Sequence, residues 1–183
     1  GFNFHRGFLA SASRLPFASI NSFRRDRLSL GLVDVGDTQN LGSMLRSAAA
    51  FGVRQVLLDR RTADPYCRRS VRVSMGASLA MDYRLMDEPA EAMRDLAAAG
   101  VRTLAATLAA DAVPIERLAI DERPVVLLLG NEGNGLPLAV QRAATDRVII
   151  PMGGKPAASG MVDSLNVSVA AAILMFQLSR RWG

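Results

Sequence analysis

Three short segments of this sequence contain the polar and charged side chains that are best suited to chemistry. They are Asn40-Leu41-Gly42-Ser43-Met44-Leu45-Arg46, Gly130-Asn131-Glu132-Gly133-Asn134-Gly135-Leu136-Pro137 and Ser164-Leu165-Asn166-Val167-Ser168-Val169-Ala170. Glu132 is either a surface acid or a carboxylate that accepts hydrogen bonds and balances charge in a site. Ser164 and Asn166 either cap the last helix through its free backbone N–H groups or supply polar groups to the same site. Each segment alone is a weak signal, so the functional prediction depends on the three together.

The second segment directly follows the continuous apolar run Val125–Leu129, which is typical of a parallel strand buried on both faces. In open α/β sheets, ligands bind beyond the carboxyl ends of the strands, where this segment must lie. Its three glycines in six residues predict a loop that adopts positive φ angles and approaches a ligand closely. The order G-x-x-G-x-G matches neither the dinucleotide-binding fingerprint nor the P-loop.

The elements that position these segments follow from the alternation of apolar runs and amphipathic stretches. Strands that alternate with helices predict an α/β fold, with a parallel sheet flanked by helices. The predicted strands are residues 30–34, 55–59, 81–86, 101–107, 125–129 and 147–151. The predicted helices are residues 38–51, 88–99, 136–144 and 165–181, with one or two short helices within residues 60–79.

The first helix has one apolar face, formed by Leu41, Met44, Leu45, Ala48 and Phe51. Arg46 lies about 140° round from Leu41 at ~3.6 residues per turn, on the side of Ser43 and Ser47. It is therefore either a solvated surface residue or a functional cation. Gly42 is unusual, because glycine inside a helix costs ~1 kcal/mol relative to alanine. We expect another group to pass close to the backbone at Gly42.

The composition is that of an ordinary globular protein with excess positive charge. The net charge is +5, and nearly all of the positive charges are arginines, because Lys155 is the only lysine. This favours a polyanionic partner, although a general preference for arginine would give the same count. Cys67 is the only cysteine and His5 the only histidine, so we expect no disulfide, no metal and a reducing cytoplasm. The uncharged stretch 164–179 is too short to span a membrane, so no membrane association is predicted.

Two regions are rich in arginine. In residues 1–28 arginines alternate with phenylalanines, a mixture that either binds single-stranded nucleic acid or packs on the domain as a strap. We expect the strap. The arginines between residues 60 and 72, including Arg68, Arg69 and Arg72, either contact RNA or form a solvated face. We expect RNA contact for this second region.

Taken together and in this order, the three segments resemble the signature motifs of the SpoU (TrmH-like) family of RNA ribose methyltransferases. The resemblance covers about residues 29–183 and includes Val73-Ser74-Met75-Gly76-Ala77, which looks like the family's Ser-x-Gly-Ala segment. It is closest in the third motif, where Ile150-Pro151-Met152-Gly153 leads to Ser164 through a loop longer than usual for the family. The resemblance implies that a methyl group is transferred from S-adenosylmethionine to a ribose 2′-hydroxyl of tRNA or rRNA.

The resemblance also implies features of the fold that periodicity does not reveal. In the family, the C-terminal segment passes through a loop and forms a trefoil knot, a rare exception to the general rules of topology. The family dimerises through its first and last helices, which suits the apolar stretch 165–176. Residues 29–183 would then be the knotted domain, and residues 1–28 the end of an N-terminal substrate-binding domain with its linker.

The resemblance assigns roles to individual residues. Asn40 and Arg46 match the catalytic pair of the first motif, with Arg46 reaching the cofactor of the partner subunit. Glu132 matches the acid of the second motif, and Ser164 and Asn166 match the polar pair of the third. The implied cofactor-binding residues are Leu129, Gly130, Asn131, Glu132, Gly133, Ile150, Met152, Ser164, Leu165 and Asn166. The expected RNA-binding residues are Arg46, Arg68, Arg69 and Arg72.

Three alternatives compete with this prediction. The same fold could serve as a non-catalytic RNA-binding module, since fold alone does not decide function. A nucleotide-dependent oxidoreductase would need a glycine fingerprint after the first strand, and Asp34-Val35-Gly36-Asp37 does not supply one. A related methyltransferase could act on a base, but the Asn40 and Arg46 pair and the Ser164-Leu165-Asn166 run favour the ribose.

Overall fold

The computed structural model describes residues 11–119, 121–152 and 164–181. The strands are β1 (Ala18–Ser19), β2 (Leu28–Leu32), β3 (Gln55–Asp59), β4 (Asp82–Met86), β5 (Arg102–Ala106), β6 (Val113–Pro114), β7 (Val125–Leu129) and β8 (Asp146–Ile149). The helices are α1 (Thr38–Ala50), α2 (Arg68–Val73), α3 (Pro89–Ala98), α4 (Leu138–Ala143) and α5 (Val167–Ser179). These strands form one parallel sheet in the order β1-β4-β3-β2-β7-β5-β8-β6.

The predicted parallel α/β sheet flanked by helices is confirmed. β7 lies between β2 and β5, and all five of its residues are buried. Helices α1 and α5 pack on one face of the sheet, and α3 and α4 pack on the other. Burial on both faces explains why β7 is a continuous apolar run and not an alternating one. The predicted knot consists of the loops around residues 130–135 and 150–166. Residues 153–163 of the second loop lie outside the described residues, so the knot stays a prediction.

The central strand β2 starts and ends two residues earlier than predicted. Leu28 and Ser29 pair with Val125 and Val126 of β7, so the ladder begins before the apolar pattern becomes regular. The strand ends before Asp34, whose backbone φ of +58° is incompatible with an extended strand. The long helices lie within their predicted bounds and are shorter by at most two residues at each end.

The described part of the N-terminal segment packs on the domain as a strap. β1 extends the sheet by pairing with β4, and the adjacent Phe17 ring packs against the rings of Tyr66 and Tyr83. Arg14 lies over the Phe17 ring and pairs with Asp64. The strap is therefore confirmed for residues 11–28. Phe23 also packs against the core, whereas Phe2, Phe4 and Phe8 lie outside the described residues.

Helices α1 and α5 differ in how much of their surface is covered. In α1 the predicted apolar face is confirmed, since Leu41, Met44, Leu45 and Ala48 are fully buried. In α5, Ala171, Leu174, Met175 and Leu178 are buried, yet apolar residues also cover the opposite side. No helix among the described residues is long and apolar enough to cross a membrane.

Gly42 marks the closest approach of two helices. A β-carbon on Gly42 would lie 2.8 Å from the Val73 β-carbon and 2.9 Å from the Ser70 carbonyl oxygen, both in α2. Real β-carbons essentially never come this close to other atoms. The close neighbour that we expected at Gly42 is therefore the backbone of α2.

Gly42→Ala is expected to lower the free energy of unfolding by about 1–2 kcal/mol, because the strain of overpacking exceeds the gain in helix propensity. Urea denaturation followed by circular dichroism measures this loss. Gly36→Ala is the matched control, since nothing lies within 4 Å of a β-carbon at that position. A Gly42→Ala variant as stable as this control would contradict the close packing of α1 on α2.

Candidate active site

The three polar segments meet at the carboxyl ends of the parallel strands. The first lies in α1, which follows β2; the second follows β7 directly; and the third leads into α5, which packs beside α1. Side chains that are 92 and 126 positions apart in the sequence hydrogen-bond here. This is the edge of an open α/β sheet at which ligands bind.

A chain of hydrogen bonds joins one residue from each segment. The Asn166 Nδ2 atom donates to the Asn40 Oδ1 atom at 3.0 Å, and the Asn40 Nδ2 atom donates to the Glu132 Oε1 atom at 3.2 Å. The backbone N–H of Asp37 donates to the same Glu132 oxygen at 3.3 Å. Although Glu132 is exposed, two donors from the start of α1 therefore hold its carboxylate in place.

Helix capping fixes Asn40 and Asn166, the two asparagines that take part in these hydrogen bonds. The Asp37 carboxylate caps α1 by accepting from the backbone N–H groups of Gln39 at 2.6 Å and Asn40 at 3.4 Å. The Asn166 Oδ1 atom caps α5 by accepting from two backbone N–H groups of its first turn, at 2.8 and 3.4 Å. The capping interpretation of Asn166 is thus confirmed, and Nδ2 of the same amide donates to Asn40. One side chain therefore serves both the helix and the site.

The predicted glycine-rich loop follows β7 directly, and it closes on itself, which was not predicted. Asn131 and Gly135 exchange backbone hydrogen bonds of 3.2 and 2.9 Å. A β-carbon on Gly130 would lie 2.3 Å from backbone atoms of Gly135 and Leu136, so only glycine fits there. Gly135 has a φ of +66°, in the left-handed region that favours glycine. The Asn131 Nδ2 atom also donates to the Asp34 carbonyl oxygen at 2.9 Å, which ties the loop to the end of β2.

A cavity of about 450 Å³ lies between this loop, the ends of β5 and β8, and the start of α5. Its volume is typical of small-molecule sites, which range over about 300–1,000 Å³. Nine of the ten predicted cofactor-binding residues line it: Leu129, Gly130, Asn131, Glu132, Gly133, Ile150, Met152, Ser164 and Leu165. Asn166 is the exception, and it is linked to the cavity through Asn40 and Glu132. In the described ranges, no group of three or more His, Cys, Asp or Glu residues could hold a metal ion.

Residues of β5, α4 and the loop after β5 also line the cavity, and the sequence analysis does not identify them. Thr107 and Leu108 follow β5, and Gln141 lies on α4. Thr107 could have been found, because it follows a strand that ends at the same edge of the sheet. No sequence signal marks Gln141, since glutamine in a short helix is an ordinary surface residue.

Arg46 is not part of this cavity. It is exposed on α1, and it makes no hydrogen bond or ion pair with any residue that the structure describes. Six helical positions separate it from Asn40, which is about 9 Å along the axis at ~1.5 Å per residue. The structure therefore brings Asn40, Glu132 and Asn166 together and leaves Arg46 apart from them.

The three arginines of α2 also lie outside the cavity. Arg68, Arg69 and Arg72 are all exposed. One of the Arg69 guanidinium nitrogens donates to the Gln39 Oε1 atom at 2.7 Å, which ties α2 to the first turn of α1. These arginines thus flank the first motif and not the cavity itself.

The fold and the site define an α/β domain with a cavity of small-molecule size at the carboxyl edge of its sheet, against a glycine-rich loop. Residues 27–176 match the model of the SpoU rRNA Methylase family. The chain belongs to this family, so the resemblance found in the three motifs is confirmed.

The similar proteins include methyltransferases of several bacteria. An uncharacterized tRNA/rRNA methyltransferase of Mycobacterium tuberculosis is 39% identical over 184 residues, which cover 98% of this chain and 62% of the relative. The structure of an AdoMet-bound rRNA methyltransferase from Sinorhizobium meliloti superposes with a TM-score of 0.80 at 31% identity, covering 91% of this chain and 61% of that one. The structure of an RNA 2′-O ribose methyltransferase superposes with a TM-score of 0.74 at 31% identity, covering 92% of this chain and 62% of that one. The chain therefore spans about three fifths of the length of these proteins.

Substitutions of Asn166 separate its two roles. Asn166→Ala removes the cap of α5 and should lower the free energy of unfolding by about 1 kcal/mol. Asn166→Asp keeps an oxygen for the helix N–H groups but loses the donor to Asn40, so most of the stability should remain. Chemical denaturation of both variants measures the difference. Equal losses in the two variants would contradict the capping role.

Proposed function

We propose that this chain is the S-adenosylmethionine-dependent domain of an RNA methyltransferase that modifies a ribose 2′-hydroxyl of rRNA or tRNA. The observation that carries the proposal is the hydrogen-bond chain Asn166–Asn40–Glu132 beside a cavity, in a member of the SpoU family. The AdoMet-bound relative from Sinorhizobium meliloti supports the cofactor, and the RNA 2′-O ribose methyltransferase supports the ribose target.

The cavity suits this cofactor in size and in lining. S-Adenosylmethionine has an adenine ring with apolar faces and a polar edge, joined to a polar amino-acid end. Leu129, Leu136 and Ile150 supply apolar walls, and the polar residues Asn131, Glu132 and Ser164 line the same cavity. Because Gly130 carries no side chain, the loop can close tightly against the backbone of Gly135 and Leu136. When bound, the cofactor supplies a methyl group that its sulfonium centre activates.

The residues of the chain position and polarise the substrate and need not react covalently. Asn40 and Asn166 hold the Glu132 carboxylate at the cavity wall, and Ser164 lies on the same wall. Arg46 is suited to hold the phosphate beside the target ribose and to stabilise the alkoxide that develops on the 2′-oxygen while the hydroxyl proton passes to solvent water. This role is preferred to that of a general base, because a guanidinium does not lose its proton in proteins.

Arg46 needs a second copy of the chain to reach a cavity. It lies on the exposed side of α1, and α5 beside it exposes 47% of Val169 and 44% of Phe176. A helix that is apolar all round is normally buried, and an obligate interface resembles a protein core cut in half. The proposed homodimer therefore pairs α1 and α5 of one protomer with those of its partner, and Arg46 serves the cavity of the partner.

The knot and the RNA contacts complete the proposal. The family's trefoil knot is part of the proposal, with its loops around residues 130–135 and 150–166. Met152 and Ser164 of the second loop both line the cavity. The net charge of +5 and the exposed arginines of α2, namely Arg68, Arg69 and Arg72, favour an RNA backbone on that side. Residues 1–28 would end an N-terminal substrate-binding domain, and the enzyme would act in the cytoplasm.

Calorimetric titration with S-adenosylhomocysteine, the product form of the cofactor, tests the proposal. We expect one site per chain. Gly130→Ala should abolish binding, because the added carbon would lie 2.3 Å from backbone atoms of Gly135. Gly36→Ala, which adds a carbon in open space, should bind as the wild type does. Failure of the folded wild-type chain to bind would favour the non-catalytic RNA-binding module.

Arg46→Lys is expected to lower methyl transfer to RNA by about 100-fold or more, because lysine lacks the planar fork that fits a phosphate. Binding of S-adenosylhomocysteine should stay unchanged, since the role assigned to Arg46 is on the phosphate and the 2′-oxygen of the RNA and not on the cofactor. Transfer of a radiolabelled methyl group to total RNA measures the activity. Arg142→Lys on α4 is the matched control, and near-wild-type turnover of Arg46→Lys would contradict the assigned role.

Mixed dimers decide which cavity Arg46 serves. A protomer with Arg46→Ala keeps its cavity, and a protomer with Gly130→Ala keeps its arginine. If Arg46 acts across the interface, a dimer of these two protomers has one complete site, although each homodimer has none. We expect the purified mixed dimer to be active. An inactive mixed dimer would place Arg46 in the site of its own protomer.

A further inference from the structure

Two walls of the cavity are joined by a pair of side chains outside the three motifs. One wall is the glycine-rich loop that ends at Leu136, and the other is the segment 106–109 at the end of β5. The two walls belong to separate loops and are spanned by Gln141 of α4 and Thr107, both of which also line the cavity. Neither side chain has a place in the proposed chemistry.

The hydrogen bonds of this pair run continuously from one wall to the other. The Gln141 Nε2 atom donates to the Leu136 carbonyl oxygen at 2.7 Å. The Thr107 hydroxyl donates to the Gln141 Oε1 atom at 2.9 Å, and the Ala109 backbone N–H donates to the Thr107 oxygen at 3.2 Å. The Thr107 backbone N–H itself donates to the Val148 carbonyl oxygen at 3.0 Å, which anchors this wall to β8.

Each polar side-chain atom of Gln141 and Thr107 has a defined role as a hydrogen-bond donor or acceptor. The amide of Gln141 uses its nitrogen toward the loop and its oxygen toward Thr107, so both of its ends are engaged. The hydroxyl of Thr107 donates its one hydrogen and accepts one. Both side chains are half-buried, so a lost partner is not freely replaced by water. Such a bridge holds two loops at a fixed separation.

We propose that Gln141 and Thr107 are positioning residues that set the distance between the two walls, and hence the affinity of the cavity for its cofactor. The inference rests on the proposed function, since it takes the cavity to be the S-adenosylmethionine site. It adds two residues that the three motifs do not contain. Both act through the loops and not through the reacting atoms.

The pair Thr107→Val and Thr107→Ser provides the test. Valine has the shape of threonine without the hydroxyl, whereas serine keeps the hydroxyl. We expect Thr107→Val to weaken S-adenosylhomocysteine binding by about tenfold in calorimetry, and Thr107→Ser to stay within about twofold of the wild type. In the free protein, amide hydrogen exchange at Ala109 should accelerate in Thr107→Val only, because its N–H loses its acceptor.

The second half of the bridge is tested by Gln141→Glu, which keeps the size of the side chain but turns the donor to the Leu136 carbonyl into an oxygen. Its affinity should fall at least as far as that of Thr107→Val, whereas Arg142→Gln on the same helix should leave it unchanged. Melting temperatures measured without ligand identify any variant that fails to fold, and the other position then decides.

Each outcome has one meaning. Wild-type binding together with unchanged affinity in Thr107→Val and Gln141→Glu would overturn this inference and leave the proposed function standing. Equal losses in Thr107→Val and Thr107→Ser would also overturn it, because shape and not the hydroxyl would then matter. No binding by the folded wild-type chain would overturn the proposed function, and the inference with it.

Discussion

The site depends on a single carboxylate oxygen, Oε1 of Glu132, which accepts hydrogen bonds from the Asp37 backbone and from the Asn40 side chain. Through Asn40 the same contact extends to Asn166 at the start of α5. Exposed hydrogen bonds of this kind contribute only about 0.5–1.5 kcal/mol each, far less than the buried core. Their effect is therefore geometric: they hold three segments, which the sheet merely brings close, in one fixed arrangement.

Two glycines allow the backbone to come close in different places, with different consequences. Gly42 lets α1 rest on α2, which sets the direction in which α1 leaves the site and the side on which Arg46 emerges. Gly130 lets the loop after β7 fold back onto Gly135, which shapes the cavity wall. A side chain at either position would meet backbone atoms, and backbone cannot move aside as a flexible side chain can.

The guanidinium of Arg46 and the cavity of the same chain lie apart, because Arg46 is further along α1 than the first turn that contacts Glu132. Asn40 in its first turn hydrogen-bonds Glu132 at the cavity wall, whereas Arg46 lies almost two turns further on and is exposed. The apolar residues that α5 exposes, Val169 and Phe176 among them, lie on the helix that packs beside α1. The exposed apolar side chains of α5 and the exposed Arg46 are thus on neighbouring helices, as the proposed homodimer requires.

The parallel α/β sheet, the chain order of its main elements and the glycine loop after β7 follow from the amino-acid sequence, because apolar runs and glycines are local signals. The nine cavity residues that were predicted came from the resemblance to the SpoU family, and the other lining residues were not predicted. Strand β2 was misplaced by two residues, since pairing with β7 and the φ of Asp34 are tertiary features. Gln141 and Thr107 were missed for the same reason: their role comes from a hydrogen bond between residues 34 positions apart. Only the tertiary structure decided that Asn40, Glu132 and Asn166 touch while Arg46 does not, because helix phase and the packing of α1 on its neighbours fix where each side chain emerges.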